Sequence, residues 1–354
     1  MTVRGVLSEV WRNVSSGTTK AVMWALLTGA LLTLLALADA ATIRDLEGQA
    51  QAFQVTAANV RKLPAPGRID PAACDGLISA STVGAVGAIR EVDPIQLSQA
   101  PGLPLTSYQV TVGFGPVIGL DSADPVGVWM EAGLAQALLV DRGDILTTAA
   151  GELPIAAVFT WPDDGRDARL GFAVLLPRAP DVAFDECWVR AWPVVDDNDQ
   201  LLRSTVIVSA SPVAAQIAQL NRNLGAELDA NLLFRQRVTR HVQWVAPLAM
   251  AMIGFVASWR RRLEYASALH AGQARGAALL GVGLETLVWA ATGTLLALVA
   301  DLVGIRLLGL IQVGSVWLLG IRVVVWSATA AAAGALLGAA LIREKDLFRH
   351  FRTR

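Results

Sequence analysis

Four long apolar segments constrain this chain more than any other feature of its sequence. Only one charged residue, Glu285, interrupts them, and they cover residues 21–38, 242–259, 276–300 and 323–342. A helix rises 1.5 Å per residue, so about 20 apolar residues are needed to cross a hydrocarbon core of ~30 Å. The sequence therefore predicts a multi-pass membrane protein with four transmembrane helices, at 21–40, 241–259, 276–300 and 323–342.

The first apolar segment has an alternative interpretation as a cleavable signal peptide. Residues 38–40, Ala-Asp-Ala, partly match the small-residue cleavage site of such peptides. The apolar run is longer than the usual central region of a signal peptide, which has about 7–15 residues. An uncleaved membrane helix is therefore the favoured interpretation.

Basic residues beside the apolar segments predict the orientation, because Lys and Arg are retained on the cytoplasmic side of membranes. Residues 1–20, 260–275 and 343–354 carry net charges of +2, +3 and +3. Residues 41–240 hold 15 basic and 23 acidic residues, a net charge of −8. We therefore expect a protein of the cell membrane with both termini in the cytoplasm. Residues 41–240 and a short loop at 301–322 are expected outside.

The two cysteines of the chain, Cys74 and Cys187, both fall in the segment expected outside the cell. Disulfides form and persist in oxidising compartments, so a pair of cysteines in one such domain predicts a disulfide. A zinc site would need more ligands than three distant histidines can supply. The sequence predicts a Cys74–Cys187 disulfide and no metal site.

Two helices are expected to form a stalk that continues the first two membrane helices. Apolar residues recur at steps of three and four from Ile43 to Val60, which predicts a helix over about 41–63. Ser211-Pro212 is typical of a helix start, and an apolar stripe from Val213 to Leu228 extends it over about 212–240. In an alternative interpretation each helix merely covers a sheet of the external domain.

The residues between these helices are predicted to form an inserted domain of the α+β class. Alternating apolar residues and turn signals predict strands at 108–114, 155–159, 172–176, 188–195 and 204–208. Residues 196–199, Asp-Asp-Asn-Asp, are expected to form a hairpin loop. They lack the glycine and the distal glutamate of a calcium-binding loop.

No sequence pattern for catalysis is present. The chain has no Gly-x-x-x-x-Gly-Lys-Ser/Thr phosphate loop, no Gly-x-Ser-x-Gly elbow and no His-Glu-x-x-His helix. The acidic residues Asp163, Asp164 and Asp167 are expected in turns rather than as a catalytic carboxylate pair. We predict a non-enzymatic chain that binds no cofactor of its own and no nucleic acid.

Polar and small residues inside the apolar segments suggest helix contacts. Glu285 is costly to ionise within a membrane, so such a residue usually faces protein or water. A hydrogen bond to a neighbouring helix is the favoured role, and a proton relay or a substrate contact is the alternative. Gly334 and Gly338 form a small-x-x-x-small face, which is typical of closely packed membrane helices.

Residues 262–272, followed by Glu285, resemble the Arg-Glu-Ile…Arg-Ala-Leu-Gly-Ala segment of the MacB/FtsX group of ABC transporter permeases. The spacing of Glu264, Gly272 and Glu285 matches that segment, whereas Arg262 stands one place early and Leu269 replaces a usual arginine. In the family, this segment forms a short cytoplasmic helix that contacts the ATPase. The resemblance therefore implies that Arg262, Glu264 and Gly272 couple the chain to an ATPase.

The resemblance extends over much of the chain. One helix, a large external domain and three further helices form the family's topology. Residues 128–135, 138–144 and 153–158 are similar to the MacB-type periplasmic core, and residues 74–90 resemble the stretch before its first strands. The tail after the fourth helix departs from the family's pattern.

The resemblance also implies partners. In the family, two permease chains, identical or different, pair in the lipid bilayer and bind two ATPase subunits that hold ATP and Mg²⁺. An accessory protein outside the cytoplasm can join them. The expected function is export or extraction of a substrate outside the membrane. The alternatives are a signal transmitter that controls a cell-wall hydrolase, and a membrane receptor or scaffold that works without an ATPase.

Overall fold

The computed structural model of the chain describes residues 3–120, 124–179, 181–194, 196–207, 216–225 and 227–343. These residues form two compact units. We call Gln49–Ala230 the α/β unit, and Met1–Gly48 together with Asn231–Arg354 the helical unit.

The helices, in chain order, are α1 (Val3–Ser15), α2 (Ala21–Val55), α3 (Pro71–Gly76), α4 (Phe114–Val117), α5 (Ala132–Leu138), α6 (Asp196–Arg203), α7 (Ala230–Gln236), α8 (Val242–Trp259), α9 (Arg262–His270), α10 (Arg275–Leu307) and α11 (Val313–Ala340). The strands are β1 (Val60–Ile69), β2 (Val83–Leu97), β3 (Ala100–Val110), β4 (Val128–Glu131), β5 (Ile145–Thr148), β6 (Gly151–Phe159), β7 (Ala173–Pro177), β8 (Phe184–Ala191) and β9 (Ala218–Gln219).

The described residues contain four helices that are long and apolar enough to cross a membrane, as the sequence predicts: Ala21–Val55, Val238–Trp259, Arg275–Leu307 and Val313–Ala340. The chain is therefore a membrane protein by the length and composition of its helices. The helices extend beyond the predicted spans. In particular, the loop predicted at 301–322 is helical except for residues 308–312, because α10 continues to Leu307 and α11 begins at Val313.

Small residues allow α8 and α11 to pack with their backbones in contact. A Cβ atom added to Gly334 would lie 1.9 Å from the Ala251 carbonyl oxygen, and one added to Gly254 would lie 2.0 Å from the Ala331 carbonyl oxygen. A Cβ on Gly338 would lie 2.3 Å from the Ser258 hydroxyl. The structure thus places Gly334 and Gly338 at the closest helix contact, together with Gly254 on the opposite helix.

An amphipathic helix, α1, precedes the first long apolar helix. Its residues Val6 and Val10 are buried, and it packs against α10. Its start carries no acidic residue, and Arg12 lies in its last turn, a position that favours positive charge. The residues that the sequence assigned to a cytoplasmic N-terminal segment therefore include a packed helix.

The α/β unit is built on one sheet, whose strands among the described residues run in the order β3-β7-β4-β6-β5-β2-β8-β1-β9. Strand β3 also pairs with β2, so the six strands from β3 to β2 close on themselves. The long strand β2 makes this possible because its first half pairs with β8 and its second half with β3. The apolar interior includes the buried Trp129 and Trp188.

The strands expected at 155–159 and 172–176 correspond to β6 and β7 and are confirmed. The strands expected at 108–114 and 188–195 overlap only the ends of β3 and β8, because β3 ends at Val110 and β8 ends at Ala191. The hairpin loop expected at 196–199 is instead the start of helix α6, because Leu202 is fully buried and Asn198 donates to the Pro193 carbonyl. In the described part of the strand expected at 204–208, residues 204–207, the pairing is a single bridge between Val206 and Ile69.

The stalk predictions also require correction. Helix α2 continues without a break through the suspected cleavage site but ends at Val55, after which Ala57 adopts a left-handed backbone with φ of 55°. Residues 60–69 are strand β1. No long helix is present in the described part of 212–240, where residues 218–219 form the edge strand β9 and residues 230–236 form the short helix α7. Val213 lies outside the described residues.

The predicted disulfide is confirmed. Cys74 of α3 and Cys187 of β8 are joined with their Cα atoms 5.9 Å apart, and both are fully buried. They lie in an apolar cluster that includes Leu63 and Phe184. The bond links residues separated by 113 positions, so it restricts a long loop of the unfolded chain.

Candidate coupling site

The segment that resembles the ATPase-contacting helix of the permease family is a helix in the structure. Helix α9 begins at Arg262, directly after Arg261 at its N-cap, and ends at His270. Two hydrogen bonds close its C-terminus, from Gly272 N to the Leu269 carbonyl and from Gln273 N to the Ala268 carbonyl. This pattern is a Schellman motif, and it requires a left-handed residue at the position of Gly272.

The backbone of Gly272 has the φ angle of +87° that the motif requires, and a Cβ added there would meet no atom within 4 Å. Glycine adopts this conformation without the steric cost that a side chain adds. Gly272 therefore ends α9 and separates it from α10, which begins at Arg275.

The predicted residue Glu285 lies ten residues into α10 and is only 6% exposed. Its carboxylate accepts hydrogen bonds from two side chains of other helical segments. Asn13 of α1 donates to Oε1 at 2.8 Å, and Arg261 Nη1 donates to Oε2. Glu285 is therefore paired rather than isolated, which is the favoured role predicted from the sequence.

Arg261 connects the buried glutamate to helix α9. Its Nε donates to Glu264 Oε2 at 2.8 Å while its Nη1 reaches Glu285, so one guanidinium bridges two carboxylates. The Arg261 side chain is 13% exposed, the Glu285 side chain 8% and the Glu264 side chain 53%. The bridge thus runs from a solvent-facing carboxylate to a buried one.

Electrostatics keeps Arg261 charged and Tyr265 neutral in this cluster. Burial alone would lower the pKa of the Arg261 guanidinium, but the negative charges of Glu285 and Glu264 raise that pKa above its ordinary value. Burial raises the pKa of the Tyr265 hydroxyl well above its ordinary value. The guanidinium lies 5.0 Å from the Tyr265 ring centre, within the range of a cation–π contact.

A cavity of about 140 Å³ lies beside this cluster, between α1, α9 and α10. Val6 and Val10 of α1 line one side, and Glu264 and Ala268 of α9 line another. Because α1 contributes both a wall of this cavity and the hydrogen bond from Asn13, it forms part of the site.

The structure brings together only some of the residues that the sequence singled out. Glu264 and Glu285 meet through Arg261, whereas Arg262 lies over the Trp259 ring with its Cζ 5.9 Å from the ring centre. Sequence reasoning missed Arg261 and Asn13. The three-residue spacing between Arg261 and Glu264 is the ion-pair spacing of a helix and could have indicated the first.

Asp164 and Asp167 in the α/β unit are ion-paired with basic residues and do not form a carboxylate pair. Asp164 pairs with Arg166. Asp167 pairs with Lys62 and, at 3.2 Å, with Arg169. Burial raises the pKa of Asp167, but the hydrogen bond from Lys62 and the charge of Arg169 bring that pKa below its ordinary value. Among the described residues no cluster of His, Cys, Asp and Glu could hold a metal ion.

Comparisons with known proteins give similarities of structure only. No protein-family model and no curated protein matches the chain. The periplasmic region of MacB from Actinobacillus actinomycetemcomitans is 10% identical, with a TM-score of 0.33 over 42% of this chain and 83% of its own. A permease-protein domain from Porphyromonas gingivalis is 14% identical, with a TM-score of 0.33 over 51% of this chain and 99% of its own.

The extracellular domain of YknZ, a noncanonic ABC-type transporter from Gram-positive bacteria, is 12% identical, with a TM-score of 0.29 over 40% of this chain and 87% of its own.

Proposed function

We propose that this chain is the permease subunit of an ABC transporter of the MacB/FtsX type. It couples ATP hydrolysis by a separate ATPase to movements of the α/β unit that export or extract a substrate. In this proposal α9 and both termini face the cytoplasm, and the α/β unit faces the opposite side. Two permease chains pair in the membrane, ATP and Mg²⁺ are held by the ATPase subunits, and an accessory protein can bind outside.

The observation that carries the proposal is the bridge from Glu264 through Arg261 to Glu285. An exposed ion pair contributes at most about 1 kcal/mol, so it would break when a binding partner exerts force on α9. Removing one partner of a buried pair costs roughly 3–5 kcal/mol. The Arg261–Glu285 pair is of the second kind, so a force applied to α9 moves α10 with it.

Helix α9 is suited to receive such a force. It is short, it exposes Glu264, and its C-terminus is closed at Gly272, so it can move as one body. Asn13 ties α1 to the same carboxylate of Glu285. A partner that docks on α9 would thereby act on two helices of the helical unit at once.

The first experiment measures association with an ATPase in native membranes. The tagged chain is solubilised, captured and analysed by mass spectrometry for a protein with a nucleotide-binding phosphate loop. We expect an ABC ATPase with the parent chain and its loss with Glu264→Lys, because the reversed charge faces the docking surface. Glu152→Lys is the matched control, since Glu152 is an exposed glutamate of the α/β unit.

A second pair of variants tests the end of α9. Gly272→Leu adds bulk at the docking surface, whereas Gly272→Asn keeps a residue that tolerates the left-handed backbone. We expect loss of ATPase association with Leu and retention with Asn. If no ATPase accompanies the parent chain, or if Glu264→Lys retains it, the coupling role is refuted and the receptor or scaffold alternative gains support.

The enzymatic part of the proposal is tested by turnover. We expect the purified chain to hydrolyse no ATP by itself, since its sequence lacks a phosphate loop. Hydrolysis should appear only when the ATPase subunit is added. Robust turnover by the isolated chain, after contaminants are excluded, would contradict the assignment of a non-catalytic subunit.

A further inference from the structure

A large groove in the helical unit lies away from the coupling site. Its volume is about 700 Å³, and it is bounded by α2, by the segment from α7 to α8 and by α11. The indole side chains Trp244 and Trp326 face it and are 71% and 69% exposed. Leu319 and Val323 add apolar surface from α11. The groove thus offers aliphatic and aromatic walls that the described residues leave uncovered.

Positive charge is concentrated at this groove. Its charged lining residues are Arg237, Arg240, Arg322 and a single acid, Asp39. Asp39 already pairs with Arg237, at 2.9 Å between Oδ1 and Nε. Arg240 donates to His241 Nε2 at 3.1 Å and to the Arg235 carbonyl at 3.0 Å, and neither acceptor is a carboxylate. An excess of two positive charges therefore remains.

Arg322 is the most unusual of these residues because it lies within an apolar helix. It is the tenth residue of α11, and its side chain is exposed. Among the described residues, no carboxylate forms an ion pair with it. A charge in such a helix is costly unless it meets an opposite charge or the membrane interface.

Two further features suggest that the groove lies at the level of lipid headgroups. Trp side chains are enriched at membrane–water interfaces, where their apolar rings and polar N–H groups are both accommodated. Pro247 of α8 also lines the groove and has no N–H group, so the carbonyl of Gln243 lacks its usual helical donor. Gln243 faces the same groove and adds polar groups beside the arginines.

We propose that this groove binds an anionic phospholipid from the bilayer. The phosphate accepts hydrogen bonds from Arg322 and Arg240, and the acyl chains lie against Trp244 and Trp326. Arginine is suited to this task because its planar guanidinium binds phosphate oxygens in pairs. The volume lies within the range of about 300–1,000 Å³ that is common for small-molecule sites. The proposal stands whether or not an ATPase binds the chain.

Native mass spectrometry of the full chain in detergent provides the test. Phosphatidylglycerol and phosphatidylcholine with identical acyl chains are titrated separately, so that only the headgroup charge differs. We expect the parent chain to bind phosphatidylglycerol more tightly. Arg322→Gln should weaken that binding about tenfold, the effect of losing one hydrogen bond between charged groups.

Arg306→Gln is the matched control. Arg306 is an exposed arginine in the last turn of α10 and is not part of the groove. We expect its phosphatidylglycerol affinity to equal that of the parent chain. Trp326→Ala should weaken binding of both lipids, because it removes apolar surface rather than charge.

Three results would overturn the proposal. Equal affinity of the parent chain for the two lipids would exclude recognition of the negative headgroup, whatever the variants do. Equal weakening by Arg322→Gln and Arg306→Gln would indicate a general charge effect. A lipid-free dimer that Arg322→Gln dissociates would assign the groove to a second copy of the chain.

Discussion

Replacing Glu285 with Gln removes the buried negative charge of the coupling site while keeping the size of the side chain. The Gln amide oxygen can still accept from Asn13, so the main loss is the ion pair with Arg261. Arg261 keeps its ion pair with Glu264. Because the Glu264 side chain is 53% exposed, this pair offsets only part of the stability lost with the Glu285 charge. A hydrogen bond between charged groups contributes about 1.5–3 kcal/mol. We expect the free energy of unfolding to fall by about 2 kcal/mol, toward the middle of that range. This is less than the roughly 3–5 kcal/mol lost when a buried charge is left with no partner, because Arg261 still pairs with Glu264.

The assay is equilibrium unfolding of the purified chain in mixed micelles, for Glu285→Gln, Arg261→Gln and the double variant. Residues in direct contact show coupling energies of about 0.5–3 kcal/mol in such a cycle. We expect about 2 kcal/mol of coupling here, because both side chains are largely buried. The control is Glu264→Gln, which removes the exposed half of the bridge and should cost at most about 1 kcal/mol.

The reasoning is refuted if the double-mutant cycle gives a coupling energy below about 0.5 kcal/mol. It is also refuted if Glu264→Gln destabilises the chain as much as Glu285→Gln does. Either result would mean that the buried pair does not hold α9 to α10. The mechanical role of Arg261 in the proposed function would then be withdrawn.

Three further predictions concern other parts of the molecule. Loss of the Cys74–Cys187 disulfide by Cys187→Ser should lower the unfolding free energy of the α/β unit by about 4–5 kcal/mol. Two free thiols in peptide maps of the parent chain would contradict the disulfide. Gly334→Leu should prevent close packing of α8 on α11 and lower the thermal unfolding midpoint. The control Gly314→Leu lies at a site with open space and should change the midpoint little. Equal effects of the two variants would refute the packing argument. Both carboxylate oxygens of Asp301 are buried, and neither has a hydrogen-bond partner among the described residues. Asp301→Asn should therefore leave the midpoint unchanged or raise it, and a fall of several degrees would show that the charge is stabilising.

The membrane helices could be predicted from the sequence because their determinant is local. A run of apolar residues long enough to cross a bilayer has few alternatives to a helix, since every backbone polar group must be satisfied within the segment. The disulfide could also be predicted from the sequence, because a chain with two cysteines allows only one pairing. The end of α9 at Gly272 also follows from a local property, the freedom of glycine to adopt a left-handed backbone.

The second stalk helix shows where local patterns stop being sufficient. Apolar residues at Ile217, Leu220 and Leu224 have helical spacing, yet Leu220 donates its N–H to the Val60 carbonyl and the adjacent residues 218–219 extend the sheet. The edge of β1 offers unpaired backbone groups, and pairing with them competes with the helix. That edge is formed by residues about 160 positions earlier in the chain, so its presence cannot be inferred from the local sequence.

The coupling site combines both situations. The ion pair between Arg261 and Glu264 has a local spacing that could be recognised in the sequence. The hydrogen bond from Arg261 to Glu285 spans 24 residues, and the one from Asn13 to Glu285 spans 272. The sequence by itself determined that an acidic residue within an apolar helix needs a partner. Only the packing of α1 and α9 against α10 decided which partners it has, because burial and hydrogen-bond geometry arise when distant segments meet.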